Sequence, residues 1–276
     1  MIPFDFITGW RSEAPWVSDL QVEQDLILTR AVVDLFSHET LTGALAFRGG
    51  TALHKLFLAP AARYSEDLDF VQVKAGPIGP TLSAIRSVLD PWLGSPKWTA
   101  SEGRVTLIYR TTSEGPPSLP MKLKVEINSR EHFAVFGYLQ RELTVSSRWY
   151  RGWAPITTYA LDELLGTKMR ALYQRKQGRD LFDLWLANER AAVDADRVVN
   201  CFRRYLEHEG QSVSRAEFEA NLLENLADPR FGRDVEPLVA TSTHWNTAAA
   251  ARYVLGELAS RLPGEPWKGA GASSGH

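Results

Sequence analysis

Apolar positions in this chain switch between two periods, and the switches mark its elements. From Ser18 to Phe36 the run SDLQVEQDLILTRAVVDLF repeats its apolar residues at helical spacing, with Ser18 placed as an N-cap and Gln21 three positions on, so one amphipathic helix is predicted. Leu45 to Phe47 is a short apolar run ending in Arg48, Gly49, Gly50 and Thr51, after which ALHKLFL resumes the helical period: strand, glycine turn, helix. Tyr64 to Val73 alternates as a strand does, placing Ser65, Asp67, Asp69 and Val71 on one face and Leu68 and Phe70 on the other. A break follows at Gly76 to Pro80, then a helix over Thr81 to Leu93. Strands are expected at Val105 to Thr111 and Met121 to Asn128, joined by SEGPPSLP as a hairpin, with a further strand near Leu139 to Ser147. In the second hairpin strand Lys122, Lys124, Glu126 and Asn128 share one face, and Leu123, Val125 and Ile127 the other.

Beyond Pro155 the pattern is helical throughout, in ALDELLGTKMRALYQR, RDLFDLWLANER, ADRVVNCFRRYLEHEG, RAEFEANLLENL and NTAAAARYVLGELASRL. A boundary is therefore expected within 150–158. The expected class is α+β: residues 1–153 form a mixed sheet with flanking helices, and 154–263 an all-helical domain closing the cleft. Residues 264–276, rich in Gly, Ser and Ala, form a tail without regular structure. No internal repeat is found.

Composition narrows the function classes. The 276 residues are 44% apolar and 23% charged, enough to bury a core without disulfides or structural metals. Thirty-three acidic against 31 basic residues give a formal charge of −2, which argues against coating nucleic acid by bulk charge but leaves room for a local basic patch. The single cysteine, Cys201, excludes an intramolecular disulfide and is expected to be an inert core thiol, and the six histidines show no metal spacing. The sequence shows neither a signal-peptide pattern nor about 18 uninterrupted apolar residues, so a cytoplasmic protein with no membrane partner is expected. There is no GxxxxGK[ST] and no GxGxxG.

The candidate chemistry lies in RGGTALHKLFLAPAARYSEDLDF. Gly49, Gly50 and Thr51 open a helix, where free N–H groups attract anions and glycine lets a ligand approach the backbone. Asp67 and Asp69, two apart on a strand, point the same way with Cα atoms roughly 6 to 7 Å apart. Side by side they repel unless a cation, such as Mg²⁺, lies between them. Glu126, on the polar face of another strand, adds a third carboxylate if the two strands are neighbours, and three carboxylates suit two metal ions. Plainer readings stay open: a turn that is only a turn, aspartates paired with Lys55 or Arg63, and Glu126 bridged to Lys122, Lys124 or Arg110.

These residues resemble the AbiEii/AbiGii-type nucleotidyltransferase toxins of type IV toxin-antitoxin systems, which include the MenT toxins. Phe47, Gly49, Gly50, Thr51 and Leu53, then Arg63, Ser65, Glu66, Asp67, Leu68, Asp69 and Phe70, reproduce GGTxL followed by RxSEDLDF. Glu163 and Leu164, then Lys168, Ala171, Leu172, Arg175, Arg179, Asp180, Leu181 and Asp183, match KxxALxxRxxxRDLxDL, so the likeness spans roughly residues 45 to 190. It implies Mg²⁺, as two ions, on Asp67, Asp69 and Glu126; catalysis by these and Lys168; and nucleotide contacts from Gly49, Gly50, Thr51, Arg63, Ser65, Lys168, Arg175, Arg179, Asp180 and Asp183. Asp180 and Asp183 also suit a structural part, pairing with the arginines or capping the helix after Gly178. It further implies an NTP substrate, an RNA acceptor such as the tRNA 3′ end, a block on translation, and a cognate antitoxin encoded nearby; the chain is expected to be monomeric.

Two features of the residues stand beside the resemblance. Lys168, Arg170, Arg175, Lys176 and Arg179 form a run of five cations without an anion, and Lys168, Leu172, Arg175 and Arg179 share a face if the helix continues through Gly178. In RWYRGW, Arg148 and Arg151 interleave with Trp149, Tyr150 and Trp153, a mixture able to stack bases and hold phosphates. The alternatives are a nucleotidyltransferase acting on a small molecule or protein hydroxyl, a metal-dependent glycosyltransferase, and a non-catalytic nucleotide-binding or interaction protein.

Overall fold

A computed structural model describes residues 2–115 and 117–269. In order along the chain come α1 (Phe4–Gly9), α2 (Asp19–Phe36), α3 (Glu39–Ala44), β1 (Leu45–Arg48), α4 (Gly49–Leu56), β2 (Asp67–Gln72), α5 (Gly79–Leu93), β3 (Lys97–Ser101), β4 (Arg104–Thr112), β5 (Pro120–Asn128), β6 (Tyr138–Ser146) and β7 (Arg151–Tyr159). Five helices follow: α6 (Leu161–Arg175), α7 (Gly178–Arg190), α8 (Ala195–His208), α9 (Arg215–Ala227) and α10 (Thr247–Tyr253), the last running on through π and 3₁₀ turns to Arg261. The chain divides into two compact units, one reaching to Ala160 with Val239–Thr243 added, the other Leu161–Leu238 with the segment from His244.

The first unit is built on a seven-stranded mixed sheet in the order β3-β4-β5-β2-β1-β7-β6. Pairings β2–β5 and β1–β7 are parallel and the rest antiparallel. The expected β4–β5 hairpin is present, with Tyr109 opposite Leu123. Tyr109 donates to Asp90 of α5 at 3.0 Å, so α5 covers the face on which Leu107, Leu123 and Val125 are also buried. Phe36, Phe47 and Phe70 meet beneath the central strands, with ring centroids 5.2 and 6.0 Å apart. The opposite face of β2, β5 and β4 carries the alternating polar residues, because a period of two sends every second side chain there.

The structure differs from the sequence reading in two strands. The boundary expected within 150–158 falls inside β7, whose residues pair with β6 from Tyr138–Tyr159 to Ser146–Arg151. Pro155 is tolerated because β1 meets β7 only at Phe47–Thr158, leaving the stretch around the proline with a neighbour on one side only. Strand β3 carries no buried residue, so it shows no apolar alternation. Of the tail expected over 264–276, residues 270–276 lie outside the described residues.

The second unit is helical. Gly166 lies where an added Cβ would come 2.4 Å from Cys201 Cβ, so α6 and α8 pack backbone-close there. Burial pushes the Cys201 thiol up to about 12, which suits the inert thiol expected. Ser214 and Glu217 form a full capping box at the start of α9. Among the described residues no helix is long and apolar enough to cross a membrane.

Candidate active site

Strand register sets the carboxylate group. The parallel β2–β5 pairing puts Asp67 opposite Lys124 and Asp69 opposite Glu126, so the aspartate pair and the glutamate share one face of adjacent strands. On the other side of β2, Arg48 stands opposite Asp69 and is ion-paired with Glu131. Lys124 bridges the acids, its Nζ lying 3.0 Å from Glu126 Oε2 and 3.4 Å from Asp67 Oδ2, and Arg104 Nε lies 3.2 Å from Glu126 Oε1. Lys55 pairs with Asp25 of α2 at 2.9 Å rather than with the aspartates.

The electrostatics of this group are unbalanced. Burial, then the Asp67 charge, push the Asp69 carboxyl above its ordinary range, with Glu126 adding to the effect against the opposing pull of Arg48 and Lys124. Burial works against the Lys124 ammonium, yet Glu126, Asp67 and Asp69 outweigh it and push that group up. Among the described residues no three His, Cys, Asp or Glu side chains are drawn together as a ready metal cluster. The donor set nevertheless fits a divalent ion: hard oxygens in register, one of them short of positive charge, and a lysine already drawn in among them.

The glycine turn abuts the carboxylates. Gly49 has φ +79°, and a Cβ there would lie 2.3 Å from Asp69 Oδ2, so only glycine lets α4 begin against that side chain. At Gly50 a Cβ would meet Arg63 Nη2 at 2.5 Å and Ser65 Oγ at 3.1 Å. Arg63 is buried and donates to the Tyr64 carbonyl at 3.0 Å. Thr51 is buried too; its hydroxyl donates to the Asp67 carbonyl at 2.6 Å and lies 2.9 Å from Ser65 Oγ, tying α4 to β2. The residues expected to cradle phosphate are thus brought together, but the Thr51 hydroxyl already holds the turn in place.

The second motif lies wholly in the other unit. Lys176 has φ +54° and ends α6, so the stripe drawn through Lys168, Leu172, Arg175 and Arg179 does not continue, and Arg179 belongs to α7. Lys168 Nζ lies 3.0 Å from Asp180 Oδ1 and 2.8 Å from Asp183 Oδ2, both carboxylates fully buried, while Arg175 Nη2 is 3.7 Å from Asp180 Oδ2. Arg170 pairs with Glu209 and Lys176 with Glu224. The α7 start at Gly178 and Arg179 is met by the Asp234 carboxylate, not by Asp180 or Asp183.

In RWYRGW, Trp149 and Tyr150 fold over Arg30, whose Cζ is 4.6 and 5.0 Å from their rings. Tyr150 also donates to Asp34 at 2.7 Å, and Arg148 pairs with Asp5, leaving Trp153 at 61% exposure and Arg151 facing outward. Of the three cations that the sequence offers Glu126, the structure pairs Lys124 with it. Arg104, also on Glu126, and Arg48 are the site residues that the sequence did not single out; both needed the strand register.

No curated protein sequence matches the chain significantly. Among solved structures, the fold is similar to the nucleotidyltransferase toxin MenT4 of Mycobacterium tuberculosis H37Rv, at 16% identity and TM-score 0.64, covering 95% of this chain and 91% of that one. It is also similar to JHP933 of Helicobacter pylori, at 17% identity and TM-score 0.54, covering 88% and 91%. The family model for the nucleotidyl transferase AbiEii toxin of type IV toxin-antitoxin systems matches residues 30–252, well over half of the chain. The motif residues around Asp67 and those around Lys168 both fall inside that match, and the protein belongs to the AbiEii nucleotidyltransferase toxin family.

Proposed function

We propose that this nucleotidyltransferase moves a nucleoside monophosphate from an NTP to a hydroxyl of an RNA acceptor, with Asp67, Asp69 and Glu126 as its metal-binding and catalytic carboxylates. The observation that carries the reading is the register of β2 on β5, which stacks three acids on one face beside the Gly49 turn. Bound there, Mg²⁺ would neutralise the triphosphate and the developing charge at phosphorus. The acceptor oxygen attacks the α-phosphorus; the new P–O bond forms as the bond to the pyrophosphate oxygen breaks, and the hydroxyl proton passes to Glu126 or Asp69. Gly49 and Gly50 let Asp69, Arg63 and Ser65 pack against the start of α4, whose free backbone N–H groups would meet the phosphate oxygens. Arg63, packed on Gly50, fixes the turn.

The tRNA 3′ end as acceptor, the resulting block on translation and the paired antitoxin come from the family resemblance. Lys168 fits the departing pyrophosphate less well than the sequence suggests, since two buried carboxylates already balance its charge. Incubation with α-labelled NTPs, Mg²⁺ and total RNA tests the reading. Label should enter RNA and fall by at least about a hundredfold with Asp69→Asn, the usual scale for loss of a group that stabilises transition-state charge. Label found on protein or small molecules and never on RNA would overturn the acceptor assignment.

A further inference from the structure

The sheet face that carries the carboxylates does not stop at β5. The antiparallel register continues it outward: Lys124 lies opposite Ile108 and Ile108 opposite Lys97, while Glu126 lies opposite Thr106 and Thr106 opposite Thr99. One row further along, Asn128 faces Arg104 and Arg104 faces Ser101; on the other side Lys122 faces Arg110. Directly opposed residues share a face, so Lys97, Arg104, Arg110, Lys122 and Lys124 all stand on the side that bears Asp67 and Asp69. Strands β3, β4 and β5 contribute five cations and one anion, Glu126, in a chain whose formal charge is −2. Lys97, Arg104, Arg110 and Lys122 are exposed, and the Thr99 and Ser101 hydroxyls lie exposed among them.

We propose that this polar face of β3–β5 is the track on which the phosphate backbone of the acceptor RNA lies, leading its reactive hydroxyl to the carboxylates on β2 and β5. The proposal rests on the nucleotidyltransferase reading above and adds where the acceptor binds. Charge alone would suit any polyanion; the geometry favours a nucleic-acid chain. Strands about 4.8 Å apart put Lys97 roughly 14 Å from Asp67 along a single row, so the patch leads into the site. Cations set among Thr and Ser hydroxyls are a donor set that contacts phosphates, with Lys97, Arg110 and Lys122 outside the ion pairs that hold Arg104 and Lys124. An acceptor threaded this way is positioned by its backbone and its terminal hydroxyl.

The test uses the full-length protein and a triple variant, Lys97→Ala with Arg110→Ala and Lys122→Ala, which leaves Arg104, Lys124 and all carboxylates in place. A fluorescent single-stranded RNA oligonucleotide of mixed sequence is titrated across a salt series. Each phosphate contact to single-stranded nucleic acid contributes about 0.7 to the slope of log affinity against log salt, so the variant should bind about fiftyfold more weakly near physiological salt, with the slope reduced by about 2. KM for RNA should rise with it while KM for NTP stays unchanged. Lys97→Arg with Lys122→Arg, which keeps the charge, should bind as the wild type does, and a wild-type melting curve for the triple variant shows that it is folded. Unchanged affinity and slope in the triple variant would overturn the track, as would displacement of the RNA by polyglutamate with equal strength, which marks a face for acidic protein. The two readings separate cleanly: wild-type protein that binds RNA through this face yet labels none of it loses the proposed reaction and keeps the track, and transfer to RNA that ignores the triple substitution does the reverse.

Discussion

Lys168 offers the sharpest measurement of what the second motif does. Its ammonium lies 3.0 and 2.8 Å from the carboxylates of Asp180 and Asp183, which are fully buried three residues apart on α7. At an effective dielectric of about 20, each contact is worth about 5 to 6 kcal/mol before desolvation is subtracted. Removing the cation leaves two buried carboxylates that repel each other, with Arg175 3.7 Å from Asp180 still beside them, and breaking a buried pair from one side costs about 3 to 5 kcal/mol. Lys168→Met, close in size and without charge, should therefore lower the unfolding free energy of this unit by about that amount, read as a shift of the urea midpoint followed by tryptophan fluorescence. Asp180→Asn and Asp183→Asn together with Lys168→Met should recover part of the loss, since an amide buried without a partner costs less than a carboxylate, and two amides side by side carry no like-charge repulsion. If Lys168 serves mainly to hold α6 on α7, the folded triple variant transfers nucleotide within a few-fold of wild type. A Lys168→Met cost below about 1 kcal/mol refutes the electrostatic account. A stable triple variant that has lost transfer returns the lysine to the pyrophosphate.

Two further substitutions probe the first unit. Gly49→Ala places a Cβ on Asp69 Oδ2 at a residue with φ +79°, so it should cost about 1 to 3 kcal/mol and, by moving Asp69, lower the transfer rate at least about tenfold; a wild-type rate would show that Asp69 does not depend on the turn. Glu23, 2% exposed on α2, accepts the Glu114 N–H at 3.0 Å, and burial pushes its carboxyl up to about 7 from the ordinary 4.5. Because the folded state holds the proton more tightly than the unfolded chain, stability is complete below about pH 4.5 and declines as pH rises through about 7, by at most about 3.4 kcal/mol and nearer 1 to 2 once the Glu114 hydrogen bond to the charged form is counted. Glu23→Gln should abolish that slope and be the more stable protein at pH 8; parallel melting curves for the two proteins from pH 4 to pH 8 would contradict this.

What the sequence discloses is local. Alternation in SEDLDF and in KLKVEIN assigns Asp67, Asp69 and Glu126 to polar strand faces, since a half-buried strand writes its two faces into the chain. Their meeting is not written there: Asp67 and Lys124 are 57 residues apart, and only the parallel pairing of β2 with β5 brings Glu126 level with Asp69. Strand β3 escapes because five exposed residues have no buried side to alternate with, and β7 because Pro155 and the RWYRGW run look like a turn. The second motif misleads for a different reason. Its stripe of cations assumes one continuous helix, whereas Lys176 at φ +54° reverses the chain and turns Asp180 and Asp183 back onto Lys168.

The two units thus contain formally similar charge groups, a lysine among carboxylates, and exposure decides their different uses. Lys124 and Asp67 retain 31% and 35% side-chain exposure. Water screens their attraction, so the ion pair is weak and an incoming cation can replace the ammonium at small cost. Lys168 is 9% exposed against carboxylates at 0%, where the same charges interact nearly unscreened and no hydrated ion can enter without opening the helices. In the first arrangement burial, then the Asp67 charge, push the Asp69 carboxyl up, so a cation entering there would relieve both the desolvation and the repulsion. In the second, the one buried ammonium is already shared by both carboxylates, with Arg175 3.7 Å from Asp180. Residue types alone do not distinguish a loadable site from a structural clamp; access of water to the lysine does.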